Sequence, residues 1–138
     1  MPYPNTLLRG IPNNDYLTED GSVGPHLFYF EDTPRSDGHI EKSINWEDDA
    51  GALATTFAQT KANGELQFRA GAVRIPREEL DRLTRQPTVA GLLAYERSAL
   101  ANNPYHGNLL IRSTVSPRTR KTIAAGIALA VSEIIPRT

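Results

Sequence analysis

Asp37-Gly38-His39-Ile40-Glu41-Lys42-Ser43-Ile44-Asn45-Trp46-Glu47-Asp48-Asp49 is the stretch on which the fold turns. Ile40, Ile44 and Trp46 alternate with polar neighbours, which is the period of a half-buried strand. Ser36-Asp37-Gly38 is a turn signal that opens it. The acidic pair Asp48-Asp49 closes it and a helical pattern follows at once, so either aspartate is placed to cap a helix N-terminus. The same stretch holds the one tryptophan of the chain, one of its three histidines and five carboxylates. A strand that delivers polar groups to its own end, beside a helix start, is a common setting for a site.

Upstream of this stretch, residues 1–5 read as an extended arm and residues 6–11 as a short strand. His26-Leu27-Phe28-Tyr29-Phe30 carries apolar bulk on both faces, which predicts a central strand. Downstream, Leu53, Phe57 and the alanines around them give a helix its apolar face, with Gly64 as a left-handed cap. Leu66, Phe68, Ala70 and Ala72 alternate, and Val73 and Ile75 continue on the opposite parity, so the pattern predicts a strand with a bulge at Gly71.

Pro76 opens a second helix, with Glu78 and Glu79 in its first turn and Arg82 and Arg85 in its last, as the helix dipole favours. Residues 89–95 and 109–111 read as buried strands. Ser116-Pro117 supplies an N-cap and a first helical residue, and the helix is expected to run to about Ile135. Its run from Ile123 to Val131 has no polar residue, which predicts cover on all sides. At helical spacing Ala125 and Leu129 share one side and Ile123, Ile127 and Ala130 the other, with Gly126 marking a close helix contact. The sum is an α+β fold over residues 1–138 as a single domain. It has a mixed or antiparallel sheet of five to six strands, about three helices, and an apolar, buried C-terminal helix.

Composition narrows the function classes. The chain has 138 residues, enough for one domain with a core, and a net charge of −1. That balance gives no general pull toward nucleic acid or anionic lipid. The absence of cysteine excludes disulfides, thiolate nucleophiles and cysteine-ligated zinc. The first residues lack the basic and apolar regions of a signal peptide. The longest apolar run falls short of the roughly 20 residues of a membrane span. A cytoplasmic protein without a membrane partner is therefore expected. Neither GxGxxG nor GxxxxGK[ST] occurs, and no cofactor is called for.

Several residues are candidates for chemistry. Trp46 is a packing residue or a ligand-stacking platform at a strand end. Asp48 and Asp49, with Glu41 or Glu47, form a weak candidate for a divalent cation, but helix capping explains them without a metal. The histidines His26, His39 and His106 lack metal-ligand spacing. A histidine base with an acidic partner points to His39 or His106, with Asp37 or Glu41. His106 is the foremost of these because Asn103-Pro104-Tyr105-His106-Gly107-Asn108 reads as a loop, and loops carry function. Tyr105 of the same loop is a binding candidate. No nucleophile elbow surrounds Ser43 or any other serine.

Arg112, Arg118, Arg120 and Lys121 form a basic patch. Three of these cations stand where a helix starts, against its dipole, so acidic partners in the fold, acidic groups on another protein, or phosphates are expected to compensate them. Taken together, the missing catalytic signatures and the apolar helix favour an interaction module, an adaptor, immunity or antitoxin-type component that binds another protein or itself. A small histidine- and carboxylate-dependent enzyme is the alternative. A nucleic-acid accessory protein using Arg118, Arg120 and Lys121 is the third reading.

Overall fold

The structure, a computed structural model, describes residues 3–137. Six strands form one antiparallel sheet: β1 (Thr6–Gly10), β2 (His39–Trp46), β3 (Ala72–Pro76), β4 (Leu93–Arg97), β5 (His106–Arg112) and β6 (Glu133–Ile135). Their order across the sheet is β4-β5-β2-β1-β3-β6. Three helices complete the α+β fold: α1 (Gly51–Ala58), α2 (Arg77–Thr84) and α3 (Pro117–Ala130). None of the described helices is long and apolar enough to cross a membrane.

The alternation in β2 sets the layers. Ile40, Ile44 and Trp46 are buried in the main core, with Leu7 of β1, Val73 and Ile75 of β3, Leu80 and Leu83 of α2, and Ile123 and Ile127 of α3. On the opposite face Leu8 pairs with Asn45 and is fully buried, and α1 lies there, bonded to Asn45 through Thr56. β2 pairs with β5 along most of its length, from His39↔Arg112 to Asn45↔His106. Its register with β1 covers only Leu7↔Trp46 and Leu8↔Asn45. β1 and β2 therefore part beyond Asn45, and the rest of β2 has a strand neighbour on one side alone.

Several expectations are corrected. Residues 26–30 are not a central strand: Pro25–Phe28 is a short 3-10 turn. Pro25 fixes a helical φ at its start, and Leu27, Phe28 and Phe30 are buried in the core without joining the sheet. Residues 66–70 make no strand beyond an isolated bridge, Thr60↔Leu66. Gly71, at φ +111°, precedes β3 rather than bulging it.

α1 ends at Ala58 rather than near Gly64, which takes φ +85° in the following turn. α3 ends at Ala130, and the chain then turns into β6. Ser132 bonds there to the main-chain oxygen of Arg74, and the Arg74 guanidinium pairs with Glu133. The segment expected to be one helix to Ile135 thus spans two elements, and only one side of α3 is covered. Ile123, Ala124, Ile127 and Ala130 are buried, while Leu129 is 88% exposed. Gly126 lets α2 close in, since a Cβ there would meet Leu83 Cδ1 at 2.6 Å.

Candidate functional site

The parting of β1 and β2 opens a cleft of about 770 Å³. Arg9, Lys42, Ser43, Asn45, Asn103 and His106 line it together with residues of α1. Strand parity brings these groups in from two faces. Arg9 and Lys42 share the parity of Leu7 and Ile44, and Ser43 and Asn45 belong to the α1 face.

His106 is the first residue of β5, not a loop residue. Its Nδ1 lies 2.9 Å from the main-chain oxygen of Ser98. A carbonyl oxygen only accepts, so in the neutral ring Nδ1 carries the proton and Nε2 presents its lone pair. Ser43 Oγ lies 3.3 Å from Nε2 and donates to it. This distance is at the loose end of the hydrogen-bond range, as nucleophile–base pairs often are before substrate binds. The cross-strand register makes the contact: Ser43 opposes Asn108 and Asn45 opposes His106, so Ser43 and His106 are diagonal neighbours on one face.

A buried polar chain holds this end of the cleft. Thr56 donates to the main-chain oxygen of Ala52, Asn45 donates to Thr56, and Asn103 donates to Asn45, at 2.7 to 2.8 Å. Asn103 in turn accepts from the Tyr105 main-chain N–H at 3.1 Å. Each link has one donor and one acceptor, so the chain fixes both amide orientations. It ties α1, β2 and the turn before β5 into one support for His106.

On the other face of the cleft stand two cations. Arg9 donates from Nε to the main-chain oxygen of Leu27 at 3.0 Å and from Nη1 to that of Ser43 at 2.7 Å. Burial pushes its pKa down to about 10, against the opposing pull of Asp32. Lys42 is only 8% exposed. Its pKa is also lowered, first by burial and then by Arg9. Its nearest carboxylate is Asp32, with Nζ–Oδ2 3.9 Å.

The other sequence candidates lie apart from the cleft or are spent on structure. Trp46 is fully buried and donates from Nε1 to the main-chain oxygen of Glu96 at 3.0 Å, with Tyr3 and Tyr95 against its rings. It is a packing residue. His39 pairs with Arg112 at the far end of β2, so the structure does not bring His39 and His106 together. His39 Nδ1 lies 3.3 Å from Asp37, while Arg35 holds Asp37, Glu41 and Glu96. His106 therefore has a carbonyl and a serine as partners, where an acidic one was expected.

Arg97 grips both oxygens of Asp48. Asp49 Oδ1 accepts from the Gly51 N–H and from Tyr105 Oη, so Asp49 steadies the start of α1 and occupies Tyr105. Among the described residues no cluster of three or more histidines and carboxylates is arranged to hold a metal. Arg120 is folded back onto the main-chain oxygens of Val115, Phe30 and Ser113. Arg112, Arg118 and Lys121 remain exposed.

Compared with protein-family models, curated proteins and solved structures, the chain matches none. The geometry of the cleft is thus what bears on function.

Proposed function

We propose that this protein is a small enzyme that works in the cleft, with Ser43 as nucleophile and His106 as general base. The observation that carries this reading is the placement of His106 between the Ser98 carbonyl and the Ser43 hydroxyl, which in the neutral ring turns the Nε2 lone pair toward that hydroxyl. The reaction class that fits is acyl transfer. Ser43 Oγ bonds to the acyl carbon as its proton passes to His106 Nε2. The leaving group departs with that proton, and water then releases the acyl group from Ser43. The Ser98 carbonyl plays the orienting part that a carboxylate plays in the familiar triads.

The test is labelling with phenylmethylsulfonyl fluoride followed by mass spectrometry. Modification at Ser43 in the native protein, lost in His106→Ala, supports the reading. An unlabelled Ser43, or equal labelling without His106, overturns it.

A second reading, that the protein is an interaction module, is favoured by Leu129. This residue stands out of α3 beside Ala125, Ala128, Val131 and Ile134, at a groove of about 590 Å³. β6 next to it is an edge strand with one side open, and open edges invite strand pairing. The partner this favours is a second copy of the chain, joined edge to edge with Leu129 covered. Light scattering on the wild type and on Leu129→Glu tests it. A wild-type monomer at high concentration ends this reading.

A further inference from the structure

We propose that Arg9 and Lys42 form a binding site for the phosphate group of a small phosphorylated ligand. The inference rests on the cleft being the functional site, but not on the chemistry assigned to Ser43. Lys42 is more than nine-tenths buried, yet its Nζ has no hydrogen-bond acceptor among the described residues. An ammonium has three N–H donors, and Lys42 Nζ is not sealed from the cleft, so they are open to an acceptor that enters it. Arg9 uses Nε and Nη1 on carbonyls, and its Nη2 has no partner among the described residues. Both side chains line the same cleft. Each lowers its own readiness to stay charged by burial, and Lys42 also feels the charge of Arg9.

Asp32 does not resolve this arrangement. At 3.9 Å from Nζ it is an ion pair without a hydrogen bond, and its side chain is 61% exposed. Asp32 and Glu31, both exposed, are the carboxylates that act on Lys42, and neither accepts a hydrogen bond from it, so free donors are left for a ligand in the cleft. A phosphate dianion matches the two cations and their donors: two charges, and three oxygens to accept from Nζ and Nη2. A carboxylate group offers one charge and two oxygens, so it fits less well. Asp32 would turn to solvent as the phosphate enters.

The experiment uses inorganic phosphate as the probe at pH 8, where it is chiefly the dianion. Binding is followed by calorimetry in the wild type, Ser43→Ala, Lys42→Met and Asp32→Asn, with acetate and chloride at matched ionic strength as controls. Phosphate is expected to bind wild type and Ser43→Ala alike. It should bind Lys42→Met about tenfold more weakly, the loss of one charge-assisted contact. It should bind Asp32→Asn more tightly, because a competing carboxylate is gone. Equal binding by wild type and Lys42→Met overturns the inference, as does an equal response to acetate or chloride.

Asp32 is exposed, so its variant folds and keeps the test decisive if Lys42→Met does not. Weaker or unchanged binding in Asp32→Asn then counts against the site. The fluoride labelling separates the two proposals. Phosphate binding with an inert Ser43 leaves this inference standing and removes the enzyme reading, and a labelled Ser43 without phosphate binding does the reverse.

Discussion

The indole Nε1 of Trp46 on β2 reaches the main-chain oxygen of Glu96 on β4, at 3.0 Å, by passing over the intervening strand β5 at Gly107. A Cβ at Gly107 would lie 2.3 Å from Nε1 and 2.5 Å from that oxygen. Glycine is what lets one side chain staple three strands. Gly107→Ala is therefore expected to destabilise by about 3 kcal/mol, through overpacking against main chain and loss of the bond. Urea unfolding measures this, and a midpoint equal to wild type would refute the staple.

Trp46→Ala removes a fully buried aromatic from the main core. The expected loss is about 3–5 kcal/mol. Native fluorescence should be blue-shifted from that of free tryptophan and move toward it on unfolding. Native emission already like that of tryptophan in water would contradict the packing role.

If Ser43 and His106 act together, His106→Ala should lower turnover by about 10²–10⁴. Its melting temperature should change little, since the ring is only half-buried. Ser43→Ala should cost as much, and the double variant no more than either single one. Losses that multiply in the double variant would show two independent residues.

Acid should weaken the fold through Glu47. Arg74 donates to both of its carboxylate oxygens and Thr6 to one. The Arg74 bonds, opposed by partial burial, hold its pKa below the usual carboxylate range. A carboxylate lowered in the folded state adds stability that is present above its unfolded pKa, about 4.3, and is lost as pH falls through the folded value. Glu47→Gln should cost about 1–2 kcal/mol at pH 7 and nearly nothing at the acid end. A penalty that does not change between pH 7 and pH 3 would deny the coupling.

The two sides of α3 should respond differently to charge. Ile127 is fully buried, so Ile127→Glu places an unpaired charge in the core and should unfold the protein. Leu129→Glu should keep the melting temperature within about 2 °C of wild type, as surface changes do. Thermal denaturation of both variants decides this, and an unfolded Leu129→Glu would show that the face is covered.

Much of this fold was legible in short segments. Ile40, Ile44 and Trp46 share one face as their spacing implies, Ser116-Pro117 caps a helix as read, and α2 has Glu78 and Glu79 in its first turn and Arg82 in its last. The misread segments failed for physical reasons. Residues 26–30 have the bulk of a strand, but Pro25 and burial from several sides suit a tight turn as well. The break between α3 and β6 was hidden because Ile134 and Ile135 continue the apolar character of the helix up to Pro136, and a helix and an edge strand can both bury such residues.

The cleft was only partly legible. Lys42 shares the parity of Ile40, Ile44 and Trp46, and Arg9 that of Leu7 and Ile11. A cation on the core-facing parity of a strand was the available signal. Ser43 and His106 stand 63 positions apart. Only the β2–β5 register brings them together, and no local spacing encodes that register.

The strand order also governs how the chain can assemble. β1 is made first yet lies inside the sheet, and β2 waits for β5, which follows long after it in the chain. During synthesis β2 emerges with only Asn45 and Trp46 paired to β1, and the rest of its length has no strand neighbour until residues 106–112 are available. Closing such distant pairs is entropically slow. The interval before β5 arrives is thus when this protein is most exposed to pairing with the wrong strand, and a holding chaperone or a faster β4–β5 hairpin would shorten its risk.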